Sequence, residues 1–120
     1  MDDKTTILEL KEKVKKFCDD RDWDQFHSPK ELAIGIITES SELLEHFRFK
    51  SEKEMKEILS DEKKKAEIGE ELADIMFFIL RFSQKYNFDL SQETINKIKK
   101  NEIRLPIDKI KGSNKKYTEM

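Results

Sequence analysis

The stretch Glu67-Ile68-Gly69-Glu70-Glu71-Leu72-Ala73-Asp74-Ile75-Met76-Phe77-Phe78-Ile79-Leu80 decides the fold. At about 100° per residue, Ile68, Leu72, Ile75 and Ile79 fall on one stripe, the expected core face, and Glu67, Glu70, Glu71 and Asp74 fall on the stripe beside it. The pattern predicts a helix over residues 66–86. Its acids stand three, four or seven apart and repel one another, each like-charge pair costing a few tenths of a kcal/mol, roughly, even when exposed. A plain surface helix would interleave lysine at those spacings, and this one does not. Phe77 and Phe78 widen the apolar surface beyond the core stripe. Such a helix belongs at the centre of a bundle or at a subunit interface.

Upstream, residues 29–47 repeat the logic. Ser28 is a good N-cap, Pro29 suits the first helical position, and Glu31 stands where a capping box wants its acid. Glu39, Glu42 and His46 share one face, with Glu45 on its flank, while Leu32, Ile36, Leu43 and Phe47 form the apolar side. Gly35 carries a propensity cost of about 1 kcal/mol inside a helix, which predicts close approach of a neighbouring helix or a ligand. Glu39-x-x-Glu42 and Glu71-x-x-Asp74 each point two carboxylates the same way. Packed face to face, the two helices would gather four acids around one point. That arrangement needs something to cancel its charge. A hard divalent cation, Mg²⁺ or in its place Mn²⁺, takes oxygen ligands and usually also holds substrate phosphates. His46 is a candidate further ligand, although an all-oxygen set suits Mg²⁺ better. The chain therefore points to metal-dependent phosphate chemistry.

The remaining segments complete an all-α, four-helix bundle-like chain. A first helix is expected over residues 5–20, with Ile7, Leu10, Val14 and Phe17 on its apolar stripe. A turn rich in aromatics and charge follows over residues 21–27. The polar residues 49–65 read as a short helix or a loop. Asn87 is a helix stop, and Asp89 with Gln92 opens a fourth helix that Pro106 ends. Residues 113–120 read as an extended tail. Only three glycines and two prolines interrupt 120 residues, a length that suits a single domain spanning 1–120. With 36% hydrophobic and 42% charged residues, the core is small for a lone chain, so oligomerisation through helices is expected.

Several function classes drop out. The net charge of -2 comes from interleaved acids and bases, without the basic excess of a nucleic-acid surface. The lysine clusters read as solvated faces. The longest apolar run, residues 75–80, is far too short to span a bilayer. The acidic, polar N-terminus does not read as a signal peptide, and the expected compartment is the cytoplasm. Cys18 is the single cysteine, so no intrachain disulfide is possible, and it reads as a small core residue rather than a nucleophile. No Gly-rich phosphate loop, Ser-His-Asp set or zinc spacing is present.

Beyond chemistry, the ordered set Glu39-Ser40-Ser41-Glu42 and Glu71-Leu72-Ala73-Asp74 resembles the ExxE…ExxD pattern of the all-α nucleoside triphosphate pyrophosphohydrolases, the MazG-like superfamily. Residues 21–27 (RDWDQFH), 39–49, 69–74, 101–106 and 116–118 resemble its dCTP pyrophosphatase branch, covering the chain from Arg21 to Thr118. The resemblance implies a four-helix chain assembling as a homodimer or homotetramer. It implies cleavage between the α- and β-phosphates of a nucleoside triphosphate, giving a monophosphate and pyrophosphate. Glu39, Glu42, Glu71 and Asp74 would be the Mg²⁺ ligands. Trp23 and His27 match the region lining base and sugar, and Asn101, Lys116 and Tyr117 match positions near the nucleotide.

Some positions depart from the pattern. Thr38 replaces an additional Glu common in the superfamily. Phe49 stands where the dCTP branch has Trp, and Phe78 where it has Tyr. Both keep an aromatic face for base stacking, but Phe78 lacks a hydroxyl, and a lost polar contact can change base discrimination strongly. Glu42, Glu45 and Glu70 are candidates for the carboxylate that takes a proton from the attacking water, with Glu42 and Glu70 as the catalytic pair. The leading expectation is a nucleotide-pool hydrolase of dCTP or a related pyrimidine nucleotide. A second keeps the site but changes the nucleotide, for example to dUTP. A third is a non-catalytic helical module whose acidic stripes bind a basic partner.

Overall fold

The computed structural model describes residues 1–116 and 118, and every regular element among them is helical. Two compact units divide the chain, residues 1–87 and 88–120. The first holds α1 (Ile7–Asp20), a 3-10 turn at Asp24–Phe26, α2 (Pro29–Glu45), α3 (Glu52–Ser60) and α4 (Glu62–Lys85). The second holds α5 (Leu90–Arg104) and α6 (Ile107–Ile110).

Helices α1 to α5 each begin on a side-chain cap. The oxygens of Thr6, Ser28, Ser51, Asp61 and Asp89 each accept from a backbone N–H three residues on. Such caps are worth roughly 1 kcal/mol apiece. Ser51 and Glu54 form a full capping box, so the polar segment 49–65 opens with a helix. Asp61 ends α3 and caps α4, which therefore starts at Glu62 rather than at the expected residue 66. That extra turn is polar, and apolar periodicity does not register it. At the other end, α2 stops at Glu45, short of the expected residue 47, and the chain turns through 46–49 with Phe49 in the left-handed region. Asn87 adopts the same region just past α4, as its role of helix stop required. Pro106 ends α5 but also opens the single turn of α6, an element not expected.

In the first unit α4 packs against α2, α1 and α3, and so is the central helix. Val14, Cys18, Leu32, Ile58, Ile68 and Leu80 are its buried apolar side chains. Cys18 is a core residue as read, and burial pushes its thiol pKa up, away from nucleophilic use. The predicted core stripe of α4 needs correction. Ile68 is buried and Ile75 half-buried, but Leu72 is 53% exposed, and Met76 and Ile79 also face out. The helix is apolar over a wider arc than its neighbours within the chain cover. On α2, Ile34, Ile37 and Leu44 are similarly exposed. Among the described residues, no helix is long and apolar enough to cross a membrane.

Candidate active site

Helices α2 and α4 meet where their acidic motifs lie. Gly35 of α2 faces Phe78 of α4 so closely that a Cβ there would stand 2.6 Å from the ring. The approach predicted from Gly35 is thus a neighbouring helix. Gly35 sits one turn before Glu39, and Phe78 one turn after Asp74, so this contact sets the separation of the helices beside their carboxylates.

Glu39, Glu42, Glu71 and Asp74 each offer a carboxylate oxygen, and these oxygens all lie within 4.8 Å of one another. Glu39 and Glu71 are half-buried, whereas Glu42 and Asp74 are exposed. The Oε2 atoms of Glu39 and Glu71 are buried with no hydrogen-bond partner. Leaving such an acceptor unsatisfied costs roughly 1–3 kcal/mol, more when it is charged. Burial raises the pKa of the Glu39 carboxyl, and a hydrogen bond with Glu42 and the charges of Glu42, Asp74 and Glu71 push it the same way. Four carboxylates with two orphaned buried oxygens fit a hard divalent cation, which would satisfy both oxygens and cancel the repulsion. His46 Nε2 lies 3.5 Å from Glu71 Oε1 and so flanks this set from the end of α2.

The other expected site residues are distributed unevenly. Glu70 is exposed and outside the four-carboxylate group, and Glu45 pairs with Arg48 at 3.4 Å. Phe78 begins a run of edge-to-face rings. Its centroid lies 5.5 Å from Phe77, Phe77 lies 5.8 Å from Phe17, Phe17 5.5 Å from Trp23, and Trp23 6.1 Å from His27. Trp23 and His27 therefore connect through aromatic contacts to the helix that carries Glu71 and Asp74. Phe49 is different. It is 89% exposed, with the Arg48 guanidinium 4.6 Å from its ring centroid. Asn101 and Lys116 belong to the second unit, where Asn101 is half-buried and Lys116 exposed. Tyr117 lies outside the described residues.

Sequence reasoning missed Arg81. It is 1% exposed on α4 and bonds to His27, Asp24 and Gln84. The available signal was a lone cation inside the apolar run 75–82, because a buried arginine must find partners.

An all-α unit with four convergent carboxylates on its two principal helices makes a metal-competent helical site. Comparison with known proteins narrows this. Residues 34–120 match the model of the MazG-like family. The chain is 32% identical to dCTP pyrophosphatase 1 of Mus musculus over 115 residues, covering 96% of this chain and 68% of the relative. It is 29% identical to the Homo sapiens protein of the same name, with the same coverage. A solved pyrophosphatase from Archaeoglobus fulgidus superimposes with a TM-score of 0.78 at 35% identity, covering 83% of this chain and 92% of that one. The chain belongs to the MazG-like family.

Proposed function

We propose that this nucleoside triphosphate pyrophosphohydrolase works through a divalent cation, Mg²⁺ or Mn²⁺, held by Glu39, Glu42, Glu71 and Asp74, and prefers dCTP or a related pyrimidine nucleotide. The observation that carries the metal reading is the pair of orphaned oxygens, Glu39 Oε2 and Glu71 Oε2, in a four-carboxylate group. When bound, the cation neutralises phosphate charge and favours attack by water at the α-phosphorus. The chain's own side chains do the rest. Its exposure within the group supports Glu42 as the acceptor of that water's proton, with Glu70 as the alternative. The ring run from Phe78 to Trp23 offers a surface for the base, and His27 a donor for sugar or phosphate. Asn101, Lys116 and Tyr117 are proposed as nucleotide-binding residues on the family resemblance alone, and Phe49 is proposed to stack on the base from its exposed turn.

The exposed apolar residues Leu72, Met76 and Ile79 of α4, with Ile34, Ile37 and Leu44 of α2, support assembly as a homodimer or homotetramer. The family match runs through both compact units, which supports a single functional domain over 1–120. Nucleotide-pool sanitation in the cytoplasm is the proposed role.

The test is product analysis of the purified protein with Mg²⁺ and a panel of dNTPs and NTPs. The expected result is equimolar monophosphate and pyrophosphate, fastest with one pyrimidine deoxynucleotide. Release of inorganic phosphate, or preference for a purine, would overturn the reaction or the substrate respectively.

A further inference from the structure

The turn carrying Trp23 and His27 is held by the edge-to-face contact of Trp23 with Phe17, while Asp24 and Phe26 are exposed. A second anchor is a set of polar bonds from the C-terminal half of α4. Arg81 Nε donates to His27 Nδ1 at 2.9 Å, and its two terminal nitrogens donate to Asp24 Oδ1 at 2.9 Å and Gln84 Oε1 at 2.6 Å. Lys85 Nζ donates to the carbonyl oxygens of Asp24 at 2.7 Å and His27 at 2.8 Å. The Tyr86 hydroxyl donates to the same His27 carbonyl at 2.9 Å.

One bond in this set dictates a protonation state. A guanidinium only donates, and arginine keeps its proton in proteins. The nitrogen it faces must therefore present a lone pair, so His27 is neutral and carries its proton on Nε2. The groups facing His27 agree with this. Burial, and then the cations Arg81 and Lys85, lower its pKa against the weaker opposite pull of Asp24.

We infer that Arg81 is a positioning residue of the nucleotide site: it fixes His27 as the Nε2–H tautomer and holds the Trp23–His27 turn in place, so that the imidazole presents a donor to a sugar or phosphate oxygen of the substrate. Arg81 itself, almost fully buried, does not touch the nucleotide. The inference rests on the proposed placement of the nucleotide against Trp23 and His27. Without Arg81, the ring can rotate, exchange tautomers and protonate, and the donor is no longer fixed before substrate arrives.

The experiment has two independent readouts on the full-length protein. The first is the imidazole ¹⁵N spectrum of His27, assigned with the H27Q variant and recorded without nucleotide. An Nε2–H tautomer is expected in the wild type, and an Nδ1–H tautomer would overturn the inference outright. The second is steady-state kinetics of R81M and R81K with the preferred nucleotide. R81M should mix the tautomers and raise KM about tenfold, the size of one lost hydrogen bond to a charged group, with kcat changed much less. R81K, which keeps a cationic donor but not the guanidinium fork, should fall between R81M and the wild type. Should R81M fail to fold by circular dichroism, R81K carries the kinetic test. An R81K variant matching the wild type in KM, with its His27 tautomers mixed, would overturn the positioning role. A wild type that releases no pyrophosphate from any nucleotide would instead sink the site placement, while the tautomer result would still stand.

Discussion

The two ends of α4 handle buried polarity in opposite ways. Near its first half, Glu71 and Asp74 join Glu39 and Glu42, and two carboxylate oxygens are left buried without a partner. Near its second half, Arg81 is more deeply buried, yet its guanidinium donates to three acceptors. A satisfied charge marks architecture, because the fold has already supplied its counterpart. An unsatisfied cluster of one sign marks a place for a ligand, because the fold alone leaves it at a cost. One helix thus carries a proposed binding end and a holding end.

The largest effect should come from the binding end. E71Q should lower turnover by roughly 10²-fold or more, as loss of one preorganised charge contact in an active site does, while circular dichroism shows an intact helical fold. Full activity in E71Q would break the comparison. EDTA should stop pyrophosphate release and Mg²⁺ or Mn²⁺ restore it. Cation at a hundred times its Kd should also stabilise the wild type by about 2.7 kcal/mol against heat, and E71Q much less.

Next in size is the contrast in stability between the two ends. R81M should destabilise the protein by about 1–3 kcal/mol through lost charged hydrogen bonds, read as a lower urea midpoint. E39Q, measured without metal, should be neutral or stabilising, because it removes a half-buried carboxylate from among three others. Equal destabilisation by both variants would mean that the acidic end is as architectural as the basic one.

A smaller effect is expected from pH. The native pKa of His27 is lowered, so the unfolded chain takes up a proton before the native one does. The stability contributed by neutral His27 is fully present above about pH 6.5 and is lost as pH falls toward the native value. The stability difference between wild type and H27Q should therefore shrink as the solution is acidified below that point. A difference independent of pH would mean that His27 titrates alike in both states.

These ends were not equally legible in the sequence. The acidic end was readable because its carboxylate pairs are local, Glu39 with Glu42 and Glu71 with Asp74, and three-residue spacing fixes a shared helix face. The expectation that the two pairs converge is met in the structure. Arg81 stood out only as a lone cation in an apolar run; its role was hidden because its partners Asp24 and His27 lie 57 and 54 residues away, and no local period encodes such a contact. The core stripe of α4 failed for a third reason. Periodicity reports how wide an apolar face is, not how much of it a single chain covers, and so Leu72 and Ile79 were assigned to a core that leaves them exposed. The start of α4 lay hidden in polar sequence, where Asp61 and its bond from the Lys64 N–H do the nucleating.

Gly35 has a consequence that reaches beyond packing. Where it meets Phe78, the missing methyl acts as a calliper, fixing the gap between the two helices one turn from Glu39 and one turn from Asp74. G35A would push that ring, and with it the jaws of the carboxylate group, apart by a fraction of an ångström. No carboxylate would change, yet their spacing would. On the proposed metal reading, G35A should therefore weaken Mg²⁺ relative to a roomier cation such as Ca²⁺, although Gly35 touches neither.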